Sequence, residues 1–97
     1  MSQSQYNFTA LKNVYPSVLD EMAVAFTSHQ FILVLAQRNQ RLYIEALYAH
    51  RHTDGPFRDV HGALAKLLHG FATPCGKGES RNIFGIDGKC EFWRKRP

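Results

Sequence analysis

Ninety-seven residues, 44% of them hydrophobic and 21% charged, give a chain of ordinary globular composition and single-domain size. That excludes wholesale disorder, and a core of this size holds without disulfides or metal. The net charge is +4 at pH 7, and its location says more than its size. Up to residue 54, Lys12, Arg38, Arg41 and Arg51 are balanced by Asp20, Glu21, Glu45 and Asp54, so the whole excess lies in residues 55–97. A one-sided basic half points to a polyanionic partner; the plainer alternative is a solvated basic tail.

The opening MSQSQYNFTALKN has no basic segment followed by a long apolar run, so no secretory leader is expected. The longest apolar stretch, Phe31 to Ala36, is too short to span a bilayer. These features predict a soluble cytoplasmic protein without membrane association, with Cys75 and Cys90 reduced.

Residues 1–15 are polar and uneven and predict a flexible arm, leaving 16–97 as the domain. Pro16-Ser17 opens a first helix, with Ser17 as cap, Asp20 at the capping-box position, and Val18, Met22 and Ala25 or Phe26 at helical spacing. Thr27-Ser28 offers a second cap, ahead of a long apolar segment from His29 to about His50. Gln37 to Gln40 could turn between two strands. The cap and the helix formers of RLYIEALYAHR favour a helix instead, bent or broken near Arg38 to Gln40.

Thr53-Asp54-Gly55-Pro56 breaks the chain, and Pro56 suits the first position of a third helix. There Phe57, Val60, Leu64, Leu67, Leu68 and Phe71 share one face, and Arg58, His61, Gly62, Ala65, Lys66 and His69 the other. Residues 72–80 read as a loop. Asp87-Gly88 is a two-residue turn signal that predicts a hairpin over 81–96. Pairing outward from it sets Gly85 against Cys90, Ile83 against Phe92 and Arg81 against Arg94. Ile83, Cys90 and Phe92 would then face the helices, and Asn82, Phe84, Glu91 and Trp93 would face outward.

The expected fold class is α+β and mostly helical, three helices followed by a C-terminal β-hairpin. That order resembles the winged helix-turn-helix superfamily, over residues 17–97, with a short first strand of a few residues near Phe26. The resemblance implies that the third helix, near 56–70, lies in the major groove, and that the hairpin, the wing, touches the phosphate backbone or minor groove.

On the third helix Arg58, His61, Lys66 and His69 are the side chains long or polar enough to reach bases and phosphates, and Gly62 and Ala65 leave room for approach. Lys77, Arg81, Lys89, Arg94, Lys95 and Arg96 are the candidate phosphate contacts. In the predicted register Arg81 faces Arg94, a like-charge pair that an anion would relieve.

Other chemistry finds less support. The cysteines stand fifteen positions apart and only His50-x-His52 is closely spaced, which is no zinc pattern. GKGES lacks the spacing of a phosphate-binding loop. A nucleophile needs an adjacent base held by a third group; Cys75 with His69 is the one pairing near in sequence, and nearness in sequence does not establish it. No enzyme activity, cofactor or metal is expected.

The leading expectation is a small DNA-binding protein, with transcriptional regulation as its role and double-stranded DNA as its partner. The alternative is a non-enzymatic protein-interaction module on the same fold, suggested by Tyr6, Phe8, Tyr15, Tyr43, Tyr48 and Trp93. A homodimer is compatible with both.

Overall fold

The computed structural model describes residues 6–97. Two short helices lead, α1 (Thr9–Asn13) and α2 (Tyr15–Asp20). Leu11, Tyr15 and Val18 recur at helical spacing and are buried. Residues 9–15 thus belong to the packed domain, whereas an arm over 1–15 was expected; residues 1–5 of that arm lie outside the described residues. Burying a side chain as large as Leu contributes about 1.5–3 kcal/mol, which helps to offset the entropy lost in ordering this segment.

Pro16 sits in the first turn of α2, as its fixed φ favours. Ser17, however, is inside the helix and donates to the Val14 carbonyl (2.9 Å) rather than capping. The demand to bury Tyr15 draws the helix start back, and Asp20 becomes its last residue. The helix does not continue through Met22 to Phe26. Instead Ala25–Thr27 form a strand, β1, near Phe26 as the resemblance implies.

Thr27 ends that strand and caps α3 (Ser28–Arg38). Its hydroxyl accepts from the Gln30 amide (3.1 Å), and the Gln30 side chain accepts from the Thr27 amide (2.9 Å), a reciprocal capping box. Phe31, Ile32 and Leu35 of the apolar run are buried, while Leu33 is exposed. The helix breaks at Asn39, within the expected interval, and α4 (Gln40–Ala49) continues it, burying Tyr43 and Ala46. Next comes α5 (Pro56–Leu67) and a single 3-10 turn (Leu68–Gly70). Val60, Leu64 and Leu68 are fully buried, and Phe57, at the start of the same stripe, stays exposed. The Tyr15 hydroxyl donates to the Leu64 carbonyl (2.6 Å) and fastens α2 to α5.

Two strands close the chain, β2 (Ala72–Arg81) and β3 (Asp87–Lys95), in an antiparallel sheet of order β1-β3-β2. The protein is therefore α+β, with three main helices, α3 to α5, before a C-terminal hairpin in a three-stranded sheet. Residues 72–80, expected as a loop, form β2. The register also differs. Arg81 pairs with Asp87, Gly78 with Cys90, and Arg94 with Thr73 and Ala25.

The turn lies at Asn82–Ile86, not at Asp87-Gly88. The Asn82 carboxamide oxygen accepts from the amides of Phe84 (2.9 Å) and Ile86 (3.1 Å), and Gly85 takes φ +79°, a left-handed value that suits glycine. On β3 the inward residue is reversed as well: Trp93 is buried and Phe92 is exposed, whereas Ile83 packs against the core and Phe84 is exposed as expected. Phe92 lies over Gly78, where an added Cβ would come within 2.9 Å of its ring. Arg81 and Arg94 therefore do not oppose each other, and the repulsion argued for an anion between them is absent.

Candidate nucleic-acid interface

The outer face of α5, the inward face of the hairpin and the start of α3 line an open cleft of about 440 Å³. Residues three and four apart on α5 supply one wall: Arg58, His61, Gly62, Ala65 and Lys66, with His69 just beyond. Alternate residues of β3, Lys89, Glu91 and Trp93, supply the other, with Lys77 of β2 beside Glu91. A register irregularity between Pro74 and Lys77 makes this alignment, with Gly76 at φ +105°.

Six of the ten residues singled out from sequence meet here: Arg58, His61, Lys66, His69, Lys77 and Lys89. Four of them are fixed cations, and Glu91 is the one carboxylate in the lining. Its Oε2 accepts from the Gly76 amide (2.9 Å), so this carboxylate is engaged in the bulge. Gly62 leaves the helix backbone open, since a Cβ added there meets nothing within 4 Å. Arg58 is 73% exposed, and its Nε is 3.1 Å from Asp59 Oδ1.

His61 has a different part from the one expected. Its Nε2 is 2.6 Å from the Tyr43 hydroxyl, and its ring stacks on Tyr43 and touches Phe57 and Phe84. Burial, and then the charge of nearby His29, pull its pKa below the usual imidazole value. It is a packed neutral ring joining α4, α5 and the hairpin turn. His69 sits edge-on to Trp93, with ring centroids 4.9 Å apart.

The remaining four candidates lie outside the cleft. Arg81 is at the hairpin turn, with Nε 3.3 Å from Asp87 Oδ1. Arg94 is exposed, one position after the inward-facing Trp93. Lys95 borders a separate hollow with Pro16, Leu19 and Phe71. Arg96 donates to the carbonyls of His69 (2.8 Å), Gly70 (3.2 Å) and Ala72 (3.3 Å), and so fastens the end of β3 to the turn after α5.

Sequence reasoning missed Ser28 and His29, which line the cleft from α3. The His29 Nδ1–H donates to the Ser80 carbonyl (2.9 Å). Nothing in the local sequence announces that contact, because it depends on the strand register. Among the described residues, no three His, Cys, Asp or Glu side chains form a group that could hold a metal ion. No helix among them is long and apolar enough to cross a membrane.

No family model matches the chain, and no curated protein or solved structure is significantly similar to it.

Proposed function

We propose that this protein binds double-stranded DNA in the manner of a winged helix-turn-helix domain, as a transcriptional regulator. The helices α2, α3 with α4, and α5, the short β1 and the β2–β3 hairpin follow the element order of that architecture. In this reading α5 is the groove helix and the hairpin is the wing. The observation that carries it is the convergence of Arg58, Lys66, Lys77 and Lys89 on one cleft whose single lining carboxylate is already engaged. A concave, cation-lined surface suits a polyanion, because each phosphate neutralised releases counterions. Arg58 stands in the first turn of α5, the part of such helices that meets base edges, and Gly62 permits close approach.

Fluorescence anisotropy with a random-sequence duplex tests this at about 50 and about 200 mM salt. Four phosphate contacts imply a log–log salt slope of about −3 to −4. The expected result is micromolar or tighter binding at the lower salt, weakening steeply at the higher. Absence of binding at the lower salt removes the proposal.

A second reading, a protein-interaction module, is favoured by the outer face of α4. Ile44 and Tyr48 lie one turn apart there, 61% and 64% exposed, with the Arg51 guanidinium 3.9 Å from the centre of the Tyr48 ring. Sedimentation of the wild type against Ile44→Lys tests whether that face joins two copies. A dimer that the substitution dissociates supports the reading, and a monomer at all concentrations removes self-association.

A further inference from the structure

The lining of the cleft sorts by depth. Ile32 and Trp93 are buried and form its floor, whereas Arg58, Lys66, Lys77 and Lys89 are exposed and stand at its rim. Two aromatic contacts align the walls. Phe57 meets Phe84 at the hairpin turn and His69 meets Trp93 further along, so α5 and β3 run in the same direction. Lys89 therefore lies toward Arg58, and Trp93 toward Lys66 and His69. Arg58, Gly62 and Lys66 fall along one row of the helix, each about 6 Å from the next. Gly62 makes a notch in the middle of that row, since a Cβ added there meets nothing within 4 Å. The volume of about 440 Å³ is that of a small-molecule site, which typically spans about 300–1,000 Å³.

Charge sets the class of occupant. Lys77 lies opposite Glu91, Lys89 lies opposite Glu79, and Arg58 meets Asp59 through its Nε. The excess of positive charge at the hollow is thus small, and it suits one anionic group better than a run of phosphates. The contact with Asp59 leaves the terminal nitrogens of Arg58 for that group, in the fork geometry that matches phosphate oxygens. Below the rim, Ile32, Ala65, Trp93 and the bare backbone of Gly62 offer apolar contact to a flat ring.

We infer that the cleft binds a small organic phosphate, a flat ring bearing one phosphate group. The ring lies in the notch at Gly62 against Trp93, and the phosphate lies between Arg58 and Lys89. A phosphate monoester carries about −1.5 to −2 charges at pH 7, which the rim cations offset. This goes beyond the duplex reading and does not depend on it. A duplex would meet only the rim, whereas the hollow beneath takes a small molecule.

Nuclear magnetic resonance on the isotope-labelled full chain tests this, because Trp93 is the one tryptophan and gives a single indole N–H signal. The probes are adenosine monophosphate, adenosine and inorganic phosphate. The monophosphate should shift the Trp93 indole and Gly62 amide signals saturably, with a dissociation constant below about 1 mM. Adenosine and inorganic phosphate should each bind about tenfold more weakly, since each supplies only part of the contact. Arg58→Gln should weaken the monophosphate about tenfold and leave adenosine unchanged. Gly62→Leu keeps all four cations, fills the notch and should abolish saturable binding.

Arg58 is exposed, so its variant keeps the test valid if the leucine variant misfolds. No saturable shift by the monophosphate, or unchanged affinity in either folded variant, overturns the inference. Equal affinity for inorganic phosphate also overturns it and leaves a plain ion site. A single-stranded oligonucleotide that moves both signals when the monophosphate moves neither overturns it too, and gives the cleft to a polymer.

Discussion

The indole N–H of Trp93 donates to the hydroxyl of Ser28 across 2.8 Å, joining positions 65 residues apart. Both are buried, and the Ser28 hydroxyl lies 3.3 Å from the Glu91 carbonyl, to which it donates. This contact holds β3 against the start of α3 and sets which face of the hairpin turns inward. Ser28→Ala leaves the indole donor unpaired in the core, at a cost of about 1–3 kcal/mol. Urea unfolding of Ser28→Ala, Trp93→Phe and the double variant measures it. The double variant should lose less than the sum of the singles, because the donor and its partner leave together. Strict additivity would mean that the two side chains do not interact.

His61 makes stability depend on pH. Its folded-state pKa lies below the unfolded value of about 6.5, so the unfolded chain takes up the proton first. Stability is therefore fully present above about pH 6.5 and is lost as pH falls through the folded-state pKa. Denaturant midpoints at pH 7.5 and 5.5 should show the drop in wild type, and His61→Phe should show less of it. A parallel pH profile in the variant would place the effect on another group.

Arg96 and the cleft lysines should separate structure from binding. Arg96→Ala frees three carbonyls and should lower stability by about 1 kcal/mol, with the salt dependence of duplex binding unchanged. Lys77→Gln and Lys89→Gln should each flatten the salt slope by about one and leave stability within about 0.5 kcal/mol. Anisotropy titrations and thermal melts on the same samples check both. A flattened slope in Arg96→Ala would return that residue to the binding surface.

Gly85 at φ +79° carries the hairpin turn. Gly85→Ala puts a Cβ into a left-handed conformation and should cost about 1–2 kcal/mol, whereas Gly85→Asn should cost less. An alanine variant as stable as wild type would show that the turn can re-form elsewhere, with Asp87-Gly88 as the evident alternative.

Local chemistry was enough for several elements. The stripe of Val60, Leu64 and Leu68 marks α5 because helical periodicity is written in consecutive residues. Thr27-Ser28 marks the start of α3 because a hydroxyl ahead of an apolar run is a cap signal, and the interval from Arg38 to Gln40 marks the break because the apolar face shifts there. From these came the helix order and the cationic side chains on the outer face of α5; the β part of the α+β class came from the hairpin expected over 81–96, with its turn misplaced at Asp87-Gly88.

Tertiary structure decided the rest. Two turn signals competed in the hairpin, Asp87-Gly88 and the Asn82–Gly85 segment, and strand alternation turns a wrong choice of inward residue into a reversed face. Burial of the Trp93 ring, with its N–H satisfied by Ser28, settled that choice. The same packing, together with the irregularity at Cys75–Gly76, brought Lys77 and Lys89 to Arg58 and Lys66, and left Arg94, Lys95 and Arg96 outside the cleft. Leu11 and Tyr15 likewise joined the core through contacts with distant residues. The sequence by itself determined where α3, α4 and α5 lie to within a few residues and where positive charge was available; it did not show α1 or β1. Long-range burial determined which of those charges share a surface, because pairing register and core contacts are properties of the assembled chain and not of any window along it.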